Sequence, residues 1–215
     1  MITVSLNLTI KTVIMKYLAI DTSGTHLTVL LKNGENLIIN ASENCGTKHS
    51  VSLMPAIEKV LTDAKVNLGE LDFIACVTGA GSFTGIRIGV STVKALCFSA
   101  KVKALAVTAF DTLAYNKPSG KVLAVIDAKH GNYYACGYND GKIDLAPCFI
   151  DTEKLTSLAM EYTVVTADDL PVESEKVDRV QGFINATNAL YKNANEDLSL
   201  IEPLYIRKSQ AEEGR

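Results

Sequence analysis

The sequence predicts an α/β protein of two related lobes, each a hairpin-rich mixed sheet flanked by helices. Three observations carry this reading. First, an apolar run closed by an aspartate and a small polar turn occurs twice. Leu18-Ala19-Ile20-Asp21-Thr22-Ser23-Gly24 is echoed by Ala124-Val125-Ile126-Asp127-Ala128-Lys129-His130-Gly131, about half the chain further on. Second, a strand-like run and a hairpin turn follow each copy, Asn33-Gly34 in one and Asp140-Gly141 in the other. Third, 215 residues with 47% hydrophobic content can fill one large domain or two small lobes.

The elements follow in order. Residues 16–20 read as a strand ending at Asp21, and 26–31 as a second strand. Asn33-Gly34 turns the chain because both residues tolerate positive φ, and 37–41 returns as a third strand. Residues 48–65 read as a helix with Val51, Met54, Ile57, Val60, Leu61 and Ala64 along one face. Phe73-Ile74-Ala75-Cys76-Val77 reads as a buried strand, 79–89 as a glycine-rich loop, and 90–100 as a helix. A strand at 104–107, a short helix at 109–115 and a turn cluster at 117–120 close the first half. In the second half 133–138 repeats the second strand. A helix at 152–160 starts on Asp151 as N-cap, a strand lies at 162–166, and 185–195 forms a last helix. The expected division is an N-terminal extension at 1–14, one lobe at 15–117 and a shortened lobe at 118–215.

The loop Gly79-Ala80-Gly81-Ser82-Phe83-Thr84-Gly85-Ile86-Arg87-Ile88-Gly89 is the most distinctive segment. Four glycines between a strand and a helix let the backbone lie close to a phosphate or to another protein. No Gly-Lys-Ser/Thr closes it, so it is not a P-loop, and Thr84 stands where a dinucleotide fingerprint needs its third glycine. A plain strand-to-helix turn accounts for the glycines but not for a phenylalanine between two hydroxyl residues. Asp21 and Asp127 are candidate phosphate or metal residues, with Thr22, Ser23 and Gly131 beside them in the candidate nucleotide site, since paired aspartate-ended turns in facing lobes can clamp a nucleotide. The plain alternative for Asp21 and Asp127 is a turn-capping aspartate at a strand end, which is common. The chain has no Gly-Gly turn for an adenine, so the clamp reads as half built, a vestigial site.

Composition bounds the function further. A net charge of −3 gives no basic surface for autonomous nucleic-acid binding. Five cysteines without a CxxC pair point to free thiols in a reducing, cytoplasmic setting. No apolar run is long enough to cross a membrane. His26, His49 and His130 never stand at ligand spacing on one helix.

Four segments together resemble the bacterial TsaB family over residues 15–207. They are Asp21-Thr22-Ser23, the Gly79–Gly89 loop, Asp127-Ala128-Lys129-His130-Gly131-Asn132-Tyr133-Tyr134, and Pro203-Leu204-Tyr205-Ile206-Arg207. The family's loop is Gly-Pro-Gly-Ser-Phe-Thr-Gly-Leu-Arg-Ile-Gly, from which this chain departs at Ala80 and Ile86. The resemblance implies an ASKHA (actin, Hsp70 and sugar-kinase) fold. It also implies a non-catalytic subunit that binds and activates TsaD for threonylcarbamoyl transfer to the adenosine beside the tRNA anticodon. The TsaE ATPase would join the assembly, and tRNA would be reached only through the complex. ATP and a metal ion would belong to that complex, with no cofactor intrinsic to this chain. TsaD carries two metal-binding histidines four residues apart; Ala109 and Leu113 occupy their places here.

Leu53, Met54, Ile57 and Leu61 offer more apolar surface than one helical stripe needs. With the resemblance they are expected to form the partner interface, or a homodimer when TsaD is absent. His49, Ser50 and Arg87 are its expected polar members, and Ser82, Phe83 and Thr84 are expected near the TsaE junction. Val60 and Ala64 are expected in the core. The rival readings are a small ATP-dependent kinase of the same fold, favoured by Asp21 and Asp127, and a glycoprotease-like metalloenzyme, opposed by the missing histidine pair.

Overall fold

The structure, a computed structural model, describes residues 15–43, 45 and 48–207. The expectation for residues 1–14 lies outside them.

Two five-stranded sheets form from successive halves of the chain. The first contains β1 (Lys16–Asp21), β2 (Leu27–Asn33), β3 (Asn36–Ser42), β4 (Phe73–Val77) and β5 (Lys103–Val107), in the order β3-β2-β1-β4-β5. The second contains β6 (Lys121–Asp127), β7 (Asn132–Asn139), β8 (Lys142–Asp151), β9 (Thr163–Thr166) and β10 (Glu175–Lys176), in the order β8-β7-β6-β9-β10. Each sheet is an antiparallel meander of three strands whose first strand also pairs in parallel with the fourth. The sequence repeat is therefore a repeat of topology, and the two lobes have the ASKHA arrangement.

Five layers result. α1 (His49–Ala64) and α2 (Phe83–Ala100) cover the outer face of the first sheet, burying Leu53, Ile57, Ile86 and Val93 against Leu18, Ile20 and Ile74. α3 (Asp111–Ala114) and α5 (Arg179–Leu190) lie between the sheets. Their Leu113 and Phe183 join Tyr17 and Val107 of one sheet and Val122 and Val165 of the other in a shared core. α4 (Thr152–Leu158) closes the outer face of the second sheet through Leu155 and Leu158. Asp151 caps it as expected, accepting from the Lys154 amide at 2.8 Å.

Several boundaries differ from expectation, each for a local reason. The first hairpin turns on Gly34-Glu35, with Asn33 paired to Asn36, so only Gly34 adopts positive φ. In the second, Asp140 and Gly141 both do. α2 begins at Phe83, not 90, because Ser82 caps it by accepting from the Gly85 amide at 3.2 Å. α5 begins at Arg179, not 185, because Asp178 accepts from the amides of Val180 and Gln181. The stripe that α1 buries is His49, Leu53, Ala56, Ile57 and Val60. Val51 and Met54, expected on the same face as Ile57 and Val60, lie on the opposite side.

Candidate functional site

Both aspartate turns open onto one cleft of about 980 Å³ between the lobes. Its first wall is the turn after β1 and the start of α2. Asp21 Oδ1 accepts from the Ser23 amide at 2.8 Å and from Ser23 Oγ at 2.7 Å, which closes the turn. The Ser82 amide donates to the Ser23 carbonyl at 2.7 Å, and Thr22 Oγ1 donates to the Gly85 carbonyl at 2.7 Å. A Cβ at Gly81 would overlap the Ser23 carbonyl oxygen, and one at Gly85 would overlap that of Thr22. The glycines at 81 and 85 thus let the loop lie on the chain's own Asp21–Ser23 turn. The backbone approach expected toward a ligand is largely made within the lobe.

The second wall is the turn after β6. Lys129 Nζ donates to Asp127 Oδ2 and the Lys129 amide to Oδ1, at 2.7 and 2.8 Å. Partial burial works against ionisation of Asp127, but these hydrogen bonds and the lysine charge outweigh it and hold the carboxyl below its ordinary range. Asp168, beyond β9, accepts from the Asp127 amide at 2.9 Å and faces Arg179 at 3.6 Å. Gly131 continues the turn with positive φ, and its carbonyl accepts from Thr152 Oγ1 at 3.1 Å. Asp168 and Arg179 are not legible in the repeat, because no counterpart of either follows β4.

Asp21, Glu43, Asp127, Asp168 and Asp178 line the cleft against Lys129 and Arg179. Both of those cations already face carboxylates of the same cleft. Among the described residues no group of three or more His, Cys, Asp or Glu side chains could hold a metal ion.

Ala109 and Leu113 are buried in the shared core. Between them Asp111 is held by three donors. Its Oδ2 accepts from the Thr108 amide and hydroxyl, both at 2.7 Å, and its Oδ1 from Tyr138 Oη at 2.8 Å. Burial, with the Asp111 charge beside it, pushes the Tyr138 phenol far above its ordinary pKa. Sequence reasoning missed this network, since its two ends lie in different lobes.

The expected interface residues divide. Leu53 and Ile57 are almost wholly covered, because their spacing puts them on the stripe of α1 that faces β1 and β2, and Ile57 reaches only the floor of the groove beside Met54. His49 is also buried, its Nε2 3.0 Å from the Gly24 carbonyl, joining α1 to the cleft turn. Ser50, Met54, Ser82, Thr84 and Arg87 are exposed, and Leu61 and Phe83 half-buried. Val51, at 70% exposure, and Met54, at 52%, form the bare apolar edge of α1. Beside them a groove of about 650 Å³ runs between Met54, Pro55, Leu61, Leu68 and Leu96. The Phe83 ring stacks on Tyr205, centroids 4.7 Å apart, and Arg87 Nε donates to Tyr205 Oη at 2.7 Å.

Comparison with known proteins agrees with this architecture. A family model described as "TsaD: tRNA N6-adenosine threonylcarbamoyltransferase" matches residues 41–175. Among curated relatives, the Bacillus subtilis "tRNA threonylcarbamoyladenosine biosynthesis protein TsaB" is 31% identical over 86% of this chain and 76% of its own length. Proteins of the same name from Buchnera aphidicola of Schizaphis graminum and from Escherichia coli are 36% and 33% identical. Those matches span 57% and 55% of the relatives' own lengths. The solved structure "YeaZ from Pseudomonas aeruginosa" superposes with a TM-score of 0.72 at 23% identity, over 89% of this chain and 99% of that one, and so shares the fold. The paired aspartate turns, the glycine-rich start of α2 and these relatives lead to one assignment: the chain belongs to the TsaB family, within the wider group that the TsaD model describes.

Proposed function

We propose that this chain serves tRNA threonylcarbamoyladenosine biosynthesis as a non-catalytic subunit that docks on a TsaD-type transferase and activates it. Its curated relatives are named for that biosynthesis. The observation that carries the docking role is the bare edge Val51–Met54 beside the groove to Leu96, an apolar strip on the outermost layer. Ser50, Leu61, Ser82, Phe83, Thr84 and Arg87 flank it or lie along the start of α2. A second copy of the chain fits the same strip when the transferase is absent. A TsaE-type ATPase meets the assembly near Phe83, tRNA reaches it through the complex, and the setting is cytoplasmic. On this reading the lobes are 15–117 and 118–215, with residues 195–205 of the second stretch crossing back onto the first lobe, and Asp21, Thr22, Ser23, Asp127 and Gly131 are the remnant of a nucleotide site.

The test is reconstitution. The purified chain, mixed with a TsaD-type enzyme, a TsaE-type ATPase, tRNA, ATP and threonylcarbamoyl-AMP, is expected to form a complex by light scattering and to be required for modified adenosine by mass spectrometry. Modification at the full rate without it sinks the reading.

One observation favours a second reading, a small ATP-dependent phosphotransferase: Asp21 and Asp127 line the same cleft. Turnover of ATP by the isolated chain at about 1 per second or faster would establish it. The internal pairing of Lys129 with Asp127 opposes it, since that ammonium is already engaged by a carboxylate.

A further inference from the structure

The segment after α5 takes an unusual route. It leaves the central layer and pairs with the first sheet, where Ala104 and Asn195 exchange two backbone hydrogen bonds of 2.9 Å. Leu198 and Ile201 then pack into the core beneath α1 and α2. At 203–207 the chain passes from contacts with the first lobe to a contact with the second. The Leu204 amide donates to the Thr78 carbonyl at 2.8 Å, and Leu204 and Ile206 pack against the shared core. Tyr205 stacks on Phe83 with 17° between the rings and meets Arg87. Two residues on, the Arg207 guanidinium lies 4.5 Å from the centroid of Phe149, in the other lobe. Phe149 is the cross-strand neighbour of Tyr134, and the two rings lie 5.6 Å apart.

The two ends of this segment hold residues that adjoin opposite walls of one cleft. Ser82, Thr84 and Gly85, around Phe83, line its first wall; Tyr134, beside Phe149, lines its second. We infer that residues 203–207 are a strap that fixes the width of the interlobe cleft, with Tyr205 as its clasp on the first lobe and Arg207 as its hold on the second. An aromatic stack with a guanidinium at its edge is strong enough to order a short segment and weak enough to be released. The strap therefore sets access to the cleft. It also makes Tyr205, at 41% exposure, part of any surface that a partner meets at Phe83 and Arg87. None of this depends on which partner docks.

Hydrogen–deuterium exchange on the full chain tests the strap. Tyr205→Ala is expected to raise exchange roughly tenfold in 79–88 and also in 132–150, while α4 and β9 keep their protection. Tyr205→Phe keeps the stack and should change either segment less than about threefold. A rise confined to 79–88 would mean that Tyr205 only covers its neighbours, and the bridging role would be lost. So would no rise in either segment. If Tyr205→Ala fails to fold by circular dichroism, Arg207→Gln carries the test from the other end. It must loosen 79–88 as well as the Phe149 region, and loosening near Phe149 alone overturns the strap.

Discussion

Thr22 and Gly85 occupy each other's space. The Thr22 hydroxyl donates to the Gly85 carbonyl at 2.7 Å, and the Thr22 carbonyl oxygen stands where a Cβ on residue 85 would be. Gly85→Ala must push α2 off the cleft turn, a backbone displacement rather than a rotamer change. Its expected cost is about 2–4 kcal/mol, or roughly 5–15 °C in Tm by thermal denaturation. A methyl group on residue 69 would meet nothing within 4 Å, so Gly69→Ala is the control, expected within about 0.5 kcal/mol of the parent.

Neighbouring residues on α1 should fail in different assays. Leu53 is buried, and Leu53→Ala should cost about 2–5 kcal/mol in urea titration. Met54 is exposed, so Met54→Asp should leave stability within about 0.5 kcal/mol but weaken the complex with a TsaD-type partner at least tenfold by calorimetry. Unchanged affinity in Met54→Asp, with the fold intact, removes Met54 from the interface.

The buried carboxylate at Asp111 gives a third expectation. Tyr138→Phe withdraws one of its donors without opening a cavity larger than a hydroxyl. The loss should be about 1.5–3 kcal/mol, as for hydrogen bonds to charged groups. Equal stability of the two proteins would show that Thr108 alone satisfies Asp111.

Alkaline pH should destabilise the molecule. Burial pushes the Cys97 and Cys136 thiols up to about 12 each. In the unfolded chain they ionise near pH 8.5, as free thiols do. Above that pH the unfolded state binds fewer protons than the folded one, so stability falls as pH rises toward 12; below it the contribution is complete. Tm should decline between about pH 9 and 10.5, and Cys97→Ala should flatten the decline. A Tm that is level over that range would contradict the burial of these thiols.

The repeat is readable because each aspartate ends an apolar strand and each hairpin carries its own turn residues. Strand order follows from that pattern only once both sheets are seen to use it. The buried face of α1 is ambiguous in sequence because Val51, Leu53, Met54, Ile57 and Leu61 put apolar residues on both sides of the helix. Periodicity then leaves the choice of buried side to the sheet beneath. The glycine motif is visible, but its contacts are not, since the atoms that need the space belong to Thr22 and Ser23 about sixty residues earlier and, at Gly79, to Leu204 far later in the chain. The segment after α5 has no period to read, and its partners at Ala104, Thr78, Phe83 and Phe149 are all distant in sequence.

The pairing of Asn195 with Ala104, and the packing of Phe183 on the core that holds Tyr17 and Val107, bear on how the molecule is made. The residues that finish the first sheet leave the ribosome long after the rest of it. Until α5 emerges, a nascent chain carries the inner side of that sheet partly uncovered, with Tyr17, Ala19 and Ala75 among the side chains awaiting partners. A product terminated before Arg179 keeps that apolar side exposed, a substrate for chaperones and proteases. The first lobe therefore reaches its full burial only once α5 and Asn195 have been made.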